Sequence, residues 1–463
     1  MATGSAANLS HYSAVLKNFY LPGVQEYLNH DKYLADKIEA TEEDVSGKNF
    51  TIECHYGRNT GTGARGDGGA LPSAGYQKFK TCTCPMRYNY GRIEITGPTI
   101  AATRDDRGAY ARALDTEVRG IVNDMGREIN RQMWGCGYGT LARWRSGSST
   151  SITLQKMYRG NSAGGDGFGS AFGGKYLNPN GNNAAVIVVL SGMSGASGTY
   201  SVDSTNIAVS ALTKGTQYDT ITATATGETE AAGCFYVRPS NLATHTSAPS
   251  SRREMMGLRG LVTDTNLDVI AGNSGSYTGL DKYTDPLQTL NISSYSWFKA
   301  IVDSHSSGRY AGQRALTFEL MQTMFDMVEE QAGKDYGPDT IITTRALRRE
   351  YLELCRADRR TINTMELDGG WTGLDYNGVP LLVDNDAIDG EIYFLTLQDL
   401  KVYRMSDYDW MQKDGAILSR ISGYDVYEAV LFRYAEFAIK NRATQGVLTD
   451  LAYTKGANEG YGT

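Results

Sequence analysis

The sequence predicts an α+β protein of several folding units, and three observations carry that prediction. Two runs near the N-terminus alternate apolar and polar residues around a glycine-rich centre, which is the pattern of a β-hairpin. A stretch of about thirty residues then repeats apolar side chains every three or four positions, the pattern of a helix. The second half mixes both periods, and 463 residues exceed what one simple core holds.

Residues 1–46 read as an arm. Val15, Leu16, Phe19, Leu21, Val24, Tyr27 and Leu28, followed by Leu34 and Ile38, give a moderately helical, amphipathic pattern. They are too few to form a core, so the arm is expected to lie on something else. Residues 47–102 read as an extended hairpin loop, with "NFTIECHYGR" and "YQKFKTCTCPMRYNYGRIEIT" flanking "NTGTGARGDGGALPSAG". Neither run is apolar on both faces, so the hairpin is expected to project from a body and pack on neighbours. Folding about residue 68 would set Cys54 opposite Cys82.

Residues 103–145 hold a long helix. Leu114, Val118, Ile121, Val122, Met125, Ile129 and Met133 form its apolar stripe, Asp105 and Asp106 favour its start, and Gly135 follows its end. A helix of this length, about 45 Å, suits a strut. Residues 146–250 are rich in Gly, Ser, Thr and Asn with short β-like runs, and read as an inserted all-β barrel or sandwich. Residues 251–425 alternate helical and extended patterns. There "ALTFELMQTMFDMVEEQAG" is a helix closed by Gly333, and "DTIITTRALRREYLEL" is a strand and a helix capped by Thr343 or Thr344. Residues 426–463, which contain "YEAVLFRYAEFAIKN", read as a long return strand and a tail.

Composition excludes several functions. The net charge of −7 disfavours a tight grip on nucleic acid, whose affinity comes largely from neutralising phosphates. No window approaches the roughly 18 apolar residues of a membrane span, and the first twenty residues carry no export signal, so neither a membrane nor secretion is expected. Fifty-three glycines imply many tight turns, and thirty tyrosines suit broad contact surfaces. The six cysteines form no CxxC pair, so no disulfide framework is expected.

In its order of arm, projecting hairpin, long helix, β-rich insertion and α+β half, the chain resembles the major capsid proteins of tailed bacteriophages, the Hong Kong-type phage capsid fold. "GGALPSAGYQKFKTCTCPMRYNYGRIEITGPTIAAT" with "ALDTEVRGIVNDMGREINRQMWGCGYGTLA" is similar to the loop-to-spine passage of such proteins. "MMGLRGLV", "TGLDKY", Trp297, "NGVPLLVDNDAIDGEIYFLTLQDLKVY" and "WMQKDGAILSRISGYDVYEAVLFRYAEFAIKNRATQGVLTDL" follow in the expected order. The likeness covers residues 10–145 and 250–452 and leaves the insertion unmatched. It implies an extended loop, a spine helix in a peripheral domain (103–145) and an axial domain (251–425). It also implies a structural protein, not an enzyme, that assembles into hexamers and pentamers of an icosahedral shell around double-stranded DNA. The partners so implied are further copies of the chain, a portal protein at one vertex, decoration or cement proteins, and packaged DNA contacted weakly. A separate scaffolding protein is expected, because only a short arm precedes the loop. The location implied is the virion, assembled in the host cytoplasm. An encapsulin-like nanocompartment shell shares the fold, and a monomeric β-rich binding protein would also tolerate the glycines and tyrosines.

The candidate contact residues are charged. Arg58, Arg65, Asp67, Lys78 and Lys80 sit on the hairpin. Arg107, Arg112, Asp115, Glu117, Arg119, Asp124, Arg127 and Glu128 occupy the polar faces of the spine. Arg65-Gly66-Asp67 is not read as an adhesion motif, since no export signal accompanies it. Neither this loop nor "GGDGFG" at 164–169 has the strand, helix and Gly-Lys-Ser/Thr of a phosphate loop. The five histidines show no ligand or nucleophile spacing, and no cofactor or catalytic residue is assigned. Cys54 and His55 of one strand point to opposite faces, so they cannot join Cys82 and Cys84 around a metal, and free thiols are expected. Some members of the resembled family crosslink a loop lysine to a neighbour's asparagine; here Lys78 or Lys80 with Asn441 would correspond.

Overall fold

The structure, a computed structural model, describes residues 32–42, 45, 47–102, 107–135, 137, 139–148, 150–155, 174–177, 186–191, 201–215, 218–223, 235–237, 253–264, 288, 290, 292, 294–305, 313–333, 336–357, 364–367, 371–412, 417–454 and 456. The amphipathic positions Val15 to Leu28, Asp105, Asp106 and the "GGDGFG" segment lie outside these residues.

The described chain opens with a single helical turn, α1 (Tyr33–Lys37), and a two-residue strand, β1 (Ala40–Thr41). Both are tied down. Leu34 is fully buried, its amide donates to Asp384 Oδ2 at 3.0 Å, and Ala40 and Thr41 pair in parallel with Val402 and Tyr403. The hairpin follows as β2 (Asn49–Gly57) and β3 (Lys78–Pro85), an antiparallel pair. Cys54 faces Lys80 and Ile52 faces Cys82, which corrects the expected Cys54–Cys82 register. The shift of two residues leaves every side chain on its expected face. Phe50 stacks on Tyr403 at 4.3 Å at the root, and a bulge lies between His55 and Gly57.

The alternating run after the glycine-rich centre divides at Met86. β4 (Arg87–Thr96) leaves the hairpin and pairs instead with residues 426–435. A short helix, α2 (Gly97–Ala102), leads to α3 (Arg107–Trp134), the long spine of 28 residues, about 42 Å at 1.5 Å per residue. Its end is closed as expected, with the Gly135 amide donating to the carbonyls of Arg131 and Gln132 at 3.0 Å. Met125, Ile129 and Met133 are buried as the period predicts, whereas Val122 is 38% exposed. Gly91 of β4 lies directly under Ile121, where an added Cβ would come within 3.0 Å. The glycine therefore lets the spine approach the sheet.

Next comes a closed all-β barrel, whose first strand begins at Thr140, ahead of the expected boundary at 146. Its strands are β5 (Thr140–Ser148), β6 (Ser151–Gln155), β7 (Val186–Ser191), β8 (Ser201–Thr213), β9 (Tyr218–Ala223) and β10 (Phe235–Val237). They run in the order β10-β5-β6-β9-β8-β7, and β7 returns to β10. Closure leaves no sheet edge open to stray pairing, and Leu141, Ile152, Leu154, Ile221 and Tyr236 are fully buried.

The remaining chain is α+β. It contains α4 (Leu258–Leu261), β11 (Ile301–Asp303), α5 (Phe318–Ala332), β12 (Thr340–Thr343), α6 (Arg345–Ala357), β13 (Thr364–Leu367), β14 (Trp371–Tyr376), β15 (Val379–Val383) and β16 (Ile392–Leu395). After these come β17 (Leu400–Trp410), β18 (Ser419–Arg420), β19 (Val426–Ile439) and β20 (Gly446–Leu448). A mixed seven-stranded sheet runs β11-β20-β16-β12-β15-β14-β13. β12 and β16 are buried at every position, as central strands covered on both faces should be. Thr317 caps α5 by accepting from the Leu320 amide, Gly333 ends it at φ +94°, and Thr344 caps α6. A second sheet runs β1-β17-β19-β18, with β4 also on β19. Its long strand β19 joins the spine region to the α+β half.

Candidate assembly surface

Side-chain alternation on the hairpin decides what it offers. Phe50, Cys54, Cys82 and Cys84 face the body and are buried, while Thr51, Glu53, His55, Phe79 and Thr81 face outward. Cys54 and His55 thus point apart, as their strand positions require. Tyr56 stacks on Trp297 at 4.8 Å, and Lys80 Nζ sits 5.2 Å from the centre of the Tyr295 ring. The root is therefore held by the chain's own aromatic side chains.

Residues 58–77 contain no strand, and short polar contacts shape them. Asn59 Oδ1 accepts from the Gly61 amide at 2.7 Å, and Arg65 donates to the carbonyls of Ala70 and Ala64, both at 2.9 Å. Arg65, though bonded to these carbonyls, is exposed, as are Arg58, Asp67 and Lys78. Sequence reasoning missed the apolar content of this tip: Leu71 is 87% exposed, Tyr76 74% and Phe79 65%. Burying one such side chain is worth about 1.5–3 kcal/mol, against about 0–1 kcal/mol for an exposed ion pair. The apolar residues, not the charges, are the stronger contact candidates, and "ALPSAGYQKF" already contained them.

A second exposed surface lies on the sheet face turned away from the spine. Tyr88 and Tyr90 of β4 lie across from Tyr434 and Phe432 of β19. Tyr434 packs edge-on to Tyr88 at 5.1 Å and lies 4.9 Å from Phe432. Tyr88 and Tyr90 remain about half exposed. At one border, Arg92 pairs with Glu94 at 2.5 Å and with Glu428 at 3.0 Å.

On the spine, the side chains of Arg107, Arg112 and Asp115 lie outside the described residues. Arg119 and Asp124 are exposed, Glu117 is half-buried and Arg127 is buried. Glu128 turns inward, its carboxylate pairing with Arg131 at 2.5 Å, and Arg131 also pairs with Glu254 at 2.5 Å. Burial disfavours the Arg131 charge, but the two carboxylates outweigh it and hold the guanidinium firmly protonated.

A second buried junction gathers Asn130 of the spine, Lys175 and Tyr176 of the insertion, and Asp384 and Asp386 beyond β15. Lys175 pairs with Asp386, Tyr176 donates to it at 2.6 Å, and Asn130 donates to it at 2.8 Å. Burial pushes the Asp386 carboxyl up, but the Lys175 charge and these hydrogen bonds prevail and hold it below the usual carboxylate range. Asp384 goes the other way, pushed to about 6 by burial and then by the Asp386 charge. Burial likewise raises Asp339 and Asp399.

The sign follows from these directions. Between about pH 6 and the ordinary aspartate value near 4, the folded chain binds protons that the unfolded chain does not. The contribution of Asp384 is thus fully present below that ordinary value and is lost as pH rises through about 6. Asp386 and Glu39, whose values are lowered, weaken the fold only on further acidification. A denaturant midpoint higher at pH 5 than at pH 7 is expected; an equal or lower midpoint would contradict the assignment.

No family model matches the chain, and no curated protein matches it. Solved structures do resemble it, and the resemblance to tailed-phage capsid proteins expected from the sequence is found among them. A cyanophage A-1(L) capsid chain is 11% identical with a TM-score of 0.48, over 93% of this chain and 95% of that one. A capsid chain of Myoviridae phage XM1 is 8% identical with a TM-score of 0.40, over 95% and 98%. An encapsulin chain from Synechococcus elongatus is 13% identical with a TM-score of 0.25, over 38% of this chain and 70% of that one. Among the described residues, no helix is long and apolar enough to cross a membrane.

Proposed function

We propose that the chain is the structural shell protein of a tailed phage, self-assembling as hexamers and pentamers into an icosahedral capsid around double-stranded DNA. One observation carries the reading: the hairpin tip holds Leu71, Tyr76 and Phe79 in water, at a free-energy cost that contact with another copy would remove. The exposed Tyr88–Tyr90 face offers a second apolar surface of the same chain. On this reading the N-terminal arm latches beneath the neighbour, a separate scaffolding protein guides assembly, and a portal protein occupies one vertex. Decoration or cement proteins would add to the outside. The acidic chain touches its packaged DNA weakly, so the DNA can slide during filling. The chemistry required is contact rather than catalysis.

The test is size-exclusion chromatography with electron microscopy of the wild type and of a Leu71→Ser, Tyr76→Ser, Phe79→Ser variant. The wild type is expected to form closed shells. The variant should keep its fold within about 0.5 kcal/mol, since the three sites are exposed, yet remain small. A wild type that stays at the 50.5 kDa of one chain overturns the reading. Shells filled with enzyme instead of DNA would identify a nanocompartment.

A further inference from the structure

The root of the hairpin carries a thiol pair that the assembly reading leaves unused. Cys54 on β2 and Cys82 on β3 are diagonal neighbours on the body-facing side, with their Sγ atoms 3.4 Å apart. The strand twist and the neighbouring pairs Ile52–Cys82 and Cys54–Lys80 fix this approach on both sides. Cys54 is 9% exposed and Cys82 1%. Cys84 faces the same side but lies in a separate cluster with Phe50, Met86 and Tyr403.

Arg442 supplies the second observation. It is fully buried, its guanidinium donating to the carbonyls of Leu261, Phe298 and Thr263 and lying 4.9 Å from the Phe298 ring. Its Nε is buried with no hydrogen-bond partner among the described residues. Burial pulls this arginine down to about 9, and the charge of Cys82 acts in the opposite sense. The hydrogen bond from Cys54 and burial hold the Cys82 thiol well above its ordinary range while the Arg442 charge eases its deprotonation, so Cys54 is the sulfur that starts as the thiolate. The Cys54 thiol is lowered by the hydrogen bond it shares with Cys82, as nucleophilic attack requires.

We infer that Cys54 and Cys82 form a reversible, oxidant-made cross-link that staples the two strands of the hairpin at its root. With hydrogen peroxide as oxidant, the Cys54 thiolate attacks one peroxide oxygen. The O–O bond breaks, leaving a sulfenic acid on Cys54 and releasing hydroxide, which becomes water. The Cys82 sulfur then attacks the Cys54 sulfur and expels the hydroxyl as a second water while losing its own proton. Two thiols and one peroxide thus give one disulfide and two waters. A dithiol reductant reverses the link by thiol–disulfide exchange. Resting on the shell reading, the staple would be open in the reducing cytoplasm and would close after release, stiffening the tip's base.

The test uses the purified full chain exposed to hydrogen peroxide, then alkylated, digested without reduction and weighed. The expected product joins the peptides of Cys54 and Cys82, is lighter by two hydrogens and opens with dithiothreitol. It should persist in Cys84→Ser and vanish in Cys54→Ser. In the oxidised wild type, amide exchange in residues 49–57 and 78–85 should slow by at least about tenfold, as loop closure requires. Linkage of Cys82 to Cys84, links between chains, or sulfinic acid at Cys54 with no link would overturn the inference. The readout is the mass of a single chain, so failure to form shells leaves it intact.

Discussion

Replacing Arg131 by methionine is expected to destabilise the fold by about 3–5 kcal/mol, the usual effect of removing one partner from a buried ionic group. Glu254 is almost fully buried and would lose the guanidinium it pairs with, and Glu128 would lose the same group. The triad also sits at a seam. It ties the C-terminal end of the spine to residues 254–257, where the Met255 amide donates to Gln132 Oε1 and the Met256 amide to Glu436 Oε1. Gly257 lies so close that an added Cβ would meet the Gln132 carbonyl at 2.4 Å. The measurement is the denaturant midpoint of the single variant and of Arg131→Met with Glu254→Gln, the double being less impaired than the single. A single variant that loses under about 1 kcal/mol would show that the triad is not a buried charge cluster.

Lys175→Met is the second large effect, again about 3–5 kcal/mol. Without the ammonium, the donors left to the buried Asp386 among the described side chains are neutral, Tyr176 and Asn130. Because Lys175 lies in the segment between β6 and β7, the loss should appear first as loosening of the barrel from the α+β half. Limited proteolysis should then cut between residues 156 and 185 sooner than in the wild type. Lys175→Arg should restore part of the resistance. Equal cutting rates for wild type and Lys175→Met would remove this junction as the barrel's anchor.

The ease of reading the sequence follows the range of the forces involved. The spine was legible because its apolar positions repeat locally, and its end because Gly135 closes it. Thr344 was legible as a cap because a hydroxyl before a helix serves amides only three residues away. The hairpin was legible as alternation, but its register was not, because Phe50 on Tyr403 joins residues far apart in the chain. The departure of β4 at Met86 was hidden for the same reason, since its partner β19 lies over three hundred residues on. The buried junctions were invisible: Arg131 reaches Glu254 across 123 positions and Lys175 reaches Asp386 across 211. Glu128 read as a surface charge because sequence period alone cannot show that a distant arginine turns it inward. On the tip, attention to charge hid Leu71, Tyr76 and Phe79.

One connection has a mechanical consequence. β3 and β4 are separated by Met86 alone, so the projecting ribbon and the sheet beneath the long helix are lengths of one nearly continuous extended segment. Tension applied at the tip would pass through that single buried methionine into ten cross-strand pairs with β19. Those pairs would share it in shear, the direction in which a ladder of hydrogen bonds is hardest to open. The protruding ribbon is in this sense a lever with a stiff fulcrum, and a pull on it would move the whole plate before it peeled the ribbon away.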